Sequence, residues 1–117
     1  MGIQNWSDEI SVVELGNDPQ FTDELTNLME SLEKSPAHVV LNFGAVGFIN
    51  SSNVAKLLRL RKMMLSAQKR LMLCSLNTQV WGVFLVTGLD KIFEFAGDIS
   101  TALATLQLAG DKDKADT

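Results

Sequence analysis

The stretch Val39-Val40-Leu41-Asn42-Phe43, the loop 44–48 and the cluster Asn50-Ser51-Ser52-Asn53 together decide the fold. A near-continuous apolar run is what a strand buried on both faces requires, as at the centre of a parallel sheet. The loop that follows carries two glycines, Gly44 and Gly47. Four residues that all favour a helix N-cap come next. A helix over about 52–68 is therefore predicted, with Val54, Leu57, Leu58, Met64 and Leu65 on its core face.

The same alternation of strand and helix extends outward in both directions. Towards the N-terminus, residues 9–15 read Glu-Ile-Ser-Val-Val-Glu-Leu, an alternating, β-branched strand. A short edge strand is expected before it, around 3–6. Gly16-Asn17-Asp18-Pro19 is turn chemistry. Phe21, Leu25, Leu28, Met29 and Leu32 then recur at helical spacing over 21–34, with acids on the other face. Thr22 is the expected N-cap of that helix, and Ser35-Pro36 stops it. Towards the C-terminus, 70–76 is a second buried strand containing Cys74. Asn77-Thr78 caps a short helix to about 87, Gly88 takes the left-handed C-terminal position and Leu89 makes the accompanying apolar contact. Residues 91–95 form a short strand, and Asp98 caps a last helix carrying Ile99, Leu103, Leu106 and Leu108. The order β-β-α-β-α-β-α-β-α is that of an α/β domain. It gives one mixed sheet of about five strands, covered by about four helices, with right-handed crossovers between parallel neighbours. One domain over 1–110 is expected, with 111–117 a charged, disordered tail.

Composition narrows the function. A chain of 117 residues, 46% hydrophobic and 21% charged, suits one globular core. The apolar stretch 80–86 is broken by Gly82 and is too short for a bilayer, so no membrane insertion is expected. The first residues show no basic patch followed by an apolar run, so no signal peptide is expected. A single cysteine fits a reducing cytoplasm. Charge is unevenly spread: the chain is acidic and free of bases up to Glu33, whereas Lys56, Arg59, Arg61, Lys62, Lys69 and Arg70 follow one another without an acid. Such a stripe is either a solvated helix face or a surface for an acidic protein partner; the net charge of −4 argues against nucleic acid. His38 is the only histidine and Cys74 the only cysteine, which rules out a His/Cys metal cluster. There is no glycine-rich phosphate loop, and His38 enters its strand at the end away from Ser51, so no serine nucleophile has a base. No cofactor, no metal and no enzymatic activity are expected.

Several segments resemble a known family. They are Val39-Val40-Leu41-Asn42-Phe43, Val46-Gly47-Phe48-Ile49-Asn50-Ser51-Ser52, Arg70-Leu71-Met72-Leu73-Cys74-Ser75-Leu76 and Thr87-Gly88-Leu89-Asp90-Lys91-Ile92-Phe93. Together they look like the STAS domain of bacterial anti-sigma factor antagonists. That resemblance implies a non-enzymatic partner switch. The unphosphorylated domain would bind an anti-sigma factor, and a serine kinase of the histidine-kinase-like ATPase type would phosphorylate the serine opening the second helix. By position that serine is Ser51, with Ser52 as the alternative. The family's aspartate before the serine is Asn50 here, and its glycine after the pair is Asn53. The resemblance also admits a different role, as the accessory subunit of a transporter or of a larger signalling assembly.

Two surfaces follow as expectations. The first is Asn50, Ser51, Ser52 and Asn53 with Lys56 and Arg59 of the basic helix. Here the Ser51 hydroxyl either caps the helix or accepts a phosphate, which a helix N-terminus tolerates. The second is the third helix, where Val80, Trp81, Val83, Phe84, Leu85 and Val86 are apolar around nearly the whole circumference. Either Trp81 and Leu85 form a contact patch for a partner or a second copy, or these side chains fold back on the core or on Trp6.

Overall fold

The computed structural model describes residues 2–5 and 9–115, with side chains from 9 to 108. Strand β1 (Gly2–Asn5) pairs antiparallel with β2 (Ile10–Gly16), and β3 (His38–Ala45), β4 (Leu71–Cys74) and β5 (Glu94–Ala96) follow in parallel. The sheet runs β1-β2-β3-β4-β5 in chain order. Each step from β2 to β5 moves the same way across the sheet. Right-handed crossovers then place α1 (Gln20–Lys34), α2 (Ser51–Ser66) and α3 (Thr78–Thr87) on one face. The last helix, α4 (Ile99–Ala115), covers the other.

The strand period of two divides the core accordingly. Val13, Leu15, Val39, Leu41, Phe43, Leu71 and Leu73 meet the three crossover helices. Their alternates Ile10, Val12, Val40, Met72 and Cys74 meet Ala102 and Leu106 of α4. Burial on both sides is why β3 reads as a near-continuous apolar run, broken at Asn42, and β4 as a continuous one. On the three-helix face a chain of edge-to-face rings ties the layers together. Phe21 meets Phe43 at 5.9 Å, Phe43 meets Phe84 at 6.4 Å and Phe84 meets Phe93 at 5.8 Å. Contacts of this kind add about 0.5–1.5 kcal/mol each beyond area burial.

Local structure departs from the sequence expectations in identifiable places. Leu58 and Leu65 are 37% and 58% exposed, and Leu60 is fully buried instead. The buried positions of α2 are Asn53, Leu57, Leu60 and Met64, one stripe at i, i+4, i+7 and i+11; the sheet covers no more than that stripe. Thr22 is not an N-cap: Pro19 holds that position, and the Asp18 carboxylate accepts from the Thr22 N–H at 3.0 Å and its hydroxyl at 2.7 Å. The expected strand at 91–95 starts later. Gly88 turns left-handed at φ 76, a 3₁₀ turn occupies Leu89–Lys91, and ladder pairing begins at Glu94. His38 has a clear structural role, its Nδ1 accepting the Arg70 N–H at 3.0 Å between β3 and β4. Helix α4 runs from Ile99 to Ala115. Of the edge segment 3–6, Trp6 lies outside the described residues.

Candidate functional site

The loop after β3 leaves the sheet at the C-terminal ends of the parallel strands and is held from three directions by asparagines. From the β2–α1 turn, Asn17 Oδ1 accepts the Gly47 N–H at 2.8 Å. From the start of α3, Asn77 Nδ2 donates to the Val46 and Gly47 carbonyls at 3.1 and 3.3 Å. At the end of β3 itself, just before the loop, Asn42 Oδ1 accepts the Gly44 N–H at 2.8 Å. Val46 and Ile49 turn inward, 2% and 9% exposed, and act as apolar pins. Loops usually sit at the mobile end of a fold; this one is tied to both neighbouring connections.

The loop delivers the chain to α2 through a reciprocal cap. Asn50 Oδ1 accepts the Asn53 N–H at 2.9 Å, and Asn53 Oδ1 accepts the Asn50 N–H at 3.0 Å. This is the capping box, with asparagine doing both jobs. Asn53 Nδ2 also donates to Asp18 Oδ2 at 2.8 Å, joining the α2 entrance to the β2–α1 turn. That bond, followed by those from Thr22, holds the Asp18 carboxyl below its ordinary value of 3.8. The backbone N–H and both polar side-chain atoms of Asn53 are therefore used, and the residue is 3% exposed.

Ser51 is consequently not the cap. It occupies the first helical position, and both it and Ser52 are exposed. Among the described residues no side-chain hydrogen bond engages either hydroxyl. The free backbone N–H groups and positive dipole end of α2 lie beside them. Chemically the arrangement offers an accessible alcohol, firmly held, at a place where an added anion is stabilised.

The other residues expected at the site are distributed. Asn50, Ser51 and Ser52 form the exposed first turn, while Asn53 faces inward. Lys56 is half-buried and Arg59 exposed further along α2. Arg61 and Arg70 are committed elsewhere, Arg61 Nε to the Ile92 carbonyl at 3.1 Å and Arg70 to Glu94. On α3, Trp81 is half-buried with its ring on Phe95 at 4.8 Å, edge to face. Leu85 and Val86 stand 50% and 88% exposed on the next turn. Asn77 links α3 to the loop, but no hydrogen bond or ring contact among the described residues joins Trp81 or Leu85 to Ser51. Sequence expectation missed Phe48, which is 56% exposed on the clamped loop, three positions before Ser51. The signal was present: an aromatic between a glycine and a helix cap has no periodic element to bury it. Among the described residues no cluster could hold a metal ion, and no helix is long and apolar enough to cross a membrane.

Comparison with known proteins agrees with this fold. The STAS domain pattern matches residues 13–103. A protein of Bordetella bronchiseptica, BtrV, named as an anti-sigma factor antagonist, is 31% identical over 98 residues, covering 84% of this chain and 82% of that protein. A crystal structure from Thermotoga maritima, also named as an anti-sigma factor antagonist, superposes with a TM-score of 0.80 at 20% identity over 90% of this chain and 92% of the other. The anti-sigma factor antagonist SpoIIAA in its unphosphorylated form superposes with a TM-score of 0.77 at 17% identity, over 90% and 94% of the two chains.

Proposed function

The chain belongs to the STAS domain family, and from that premise we propose that it is a non-enzymatic regulator of the cytoplasm that binds an anti-sigma factor and is released when Ser51 is phosphorylated. The observation that carries this reading is the hydroxyl of Ser51, exposed and unengaged at the start of α2 while Asn50 and Asn53 complete the cap. A phosphate there carries a charge of about −1.5 to −2. It meets the N-terminal dipole of α2, so the fold tolerates it while the surface changes sign. Asn50 replaces the family's acid without loss of the cap, and Asp18 brings a carboxylate back to the same corner through Asn53.

The partner-facing surface is Asn50, Ser51 and Ser52 with Phe48, extended along α2 by Lys56 and Arg59. Phe48 supplies the apolar anchor that binding surfaces concentrate near their centre. Asn53 acts from beneath, by holding the turn. The partner class is an anti-sigma factor or a serine kinase of the histidine-kinase-like ATPase type. Incubation with the candidate kinase from the same genome and ATP, followed by mass spectrometry, tests the assignment. One phosphate on the wild type and on Ser52→Ala, with none on Ser51→Ala, is the expected outcome. Phosphate retained by Ser51→Ala would refute it.

The exposed Leu85 and Val86 favour a second reading, in which α3 packs against a second copy or a transporter to which the domain is an accessory subunit. Light scattering on Leu85→Lys distinguishes them: a fall in mass supports the α3 contact, and an unchanged mass with unchanged partner affinity removes it.

A further inference from the structure

We propose that the cleft at the far end of α2 is a second docking site, which takes an acidic peptide segment anchored by one large apolar side chain. The cleft has a volume of about 250 Å³ and lies between the C-terminal half of α2, the start of β4 and the segment 92–94. Ser51 opens the 16-residue α2 and Leu65, on the rim of this cleft, lies near its end, roughly 21 Å away along the helix axis. Two partners can therefore be held at once, and the site does not depend on the switch at Ser51.

Its floor is apolar, formed by Leu71 and Phe93. Leu65 and Ile92 stand at its rim, 58% and 39% exposed, apolar groups left in water around a concavity. The rim is also cationic. Arg61, Lys69 and Arg70 line it together with one carboxylate, Glu94, so the lining carries three positive charges against one negative. Glu94 is already engaged by Arg70, Nε donating at 3.2 Å. The bond from Arg61 Nε to the Ile92 carbonyl fixes its guanidinium at the rim before anything binds, which lowers the ordering cost of association. In a chain of net charge −4, this is a local positive field around an apolar cup.

Size selects the occupant. Sites for whole small molecules run to about 300–1,000 Å³, whereas this one suits a single anchoring side chain, the usual unit of a binding hot spot. Carboxylates flanking that anchor would meet Arg61 and Lys69.

The test is a titration of the ¹⁵N-labelled full chain with a synthetic acidic peptide carrying one leucine between glutamates. Saturable shifts at the amides of Arg61, Leu65 and Ile92, with Ser51 unmoved, are expected. Lys69→Glu, at the rim, should weaken binding roughly tenfold. Leu65→Ser provides a second variant on an exposed position, and the melting temperature of each confirms its fold. Replacing the peptide's leucine by serine should abolish binding. The proposal is overturned by failure to saturate at millimolar peptide or by shifts centred on the α2 N-terminus. Equal shifts from inorganic phosphate, the serine peptide or a DNA oligonucleotide would also overturn it, because charge alone would then suffice.

Discussion

Replacing Asn53 by alanine removes two of the bonds that build the Ser51 corner. The Asn50 N–H loses its acceptor and Asp18 loses the donor at 2.8 Å, while the bond from the residue 53 N–H to Asn50 Oδ1 survives. A cap interaction contributes about 1 kcal/mol. A hydrogen bond to a carboxylate contributes about 1.5–3 kcal/mol when dry, but Asp18 is exposed and the bond is worth less there. Alanine's better helix propensity returns about 0.6 kcal/mol at most. The net loss is about 1–2 kcal/mol. For 117 residues the unfolding entropy is about 0.25 kcal/mol per kelvin, so Tm falls by roughly 4–8 °C. Urea denaturation followed by circular dichroism measures the loss. Combining Asn53→Ala with Asp18→Ala isolates the bridge, and a coupling of about 0.5–1.5 kcal/mol is expected. Losses that add without coupling would mean that the two side chains do not hold each other and that no bridge joins α2 to the β2–α1 turn.

The remaining predictions concern pH, the core stripe and the exposed anchor. Because the folded Asp18 carboxyl lies below its unfolded value near 3.8, its contribution is present above that pH and is lost as pH falls through the folded value. Asp18→Ala should therefore flatten the acid limb of stability against pH, and an unaltered limb would contradict the bridge. Leu60→Ala, at a position of zero exposure, should cost about 2–5 kcal/mol, whereas Leu58→Ala should cost under about 1 kcal/mol; chemical denaturation that ranks them the other way would relocate the buried face of α2. Phe48→Ser should leave Tm within about 2 °C yet weaken binding to the proposed anti-sigma partner in a calorimetric titration, and full affinity would remove Phe48 from the surface.

Much of the fold was legible because strand and helix periods alternate cleanly and the caps at Asn77 and Asp98 are local. Asn77 Oδ1 accepts the Val80 N–H at 2.7 Å, and Asp98 Oδ1 the Thr101 N–H at 2.7 Å, within three residues of each. The buried face of α2 was less legible, because Leu57, Leu58, Leu60, Met64 and Leu65 surround the helix and only the sheet's position selects among them. Helix α3 poses the same difficulty; there, Trp81 folds onto Phe95 while Leu85 remains in water. At the site, the cluster of cap residues announced the helix start but not which residue caps it. Asn50 and Asn53 carry the three-residue spacing of a capping box, a local signal. The bond from Asn53 to Asp18 spans 35 residues and arises only when α1 and α2 lie side by side.

In the proposed switch, charge at Ser51 controls partner binding without disturbing the fold. Calorimetric titration of the proposed anti-sigma factor partner into wild type and Ser51→Asp, with Tm measured on both, is the decisive test. An acid in the first turn of a helix is neutral to favourable for stability, by about 0.3–1 kcal/mol. An unchanged or slightly higher Tm is expected for Ser51→Asp, together with affinity at least about tenfold weaker, a loss of about 1.4 kcal/mol. Equal affinity in the two proteins, at equal stability, would contradict it.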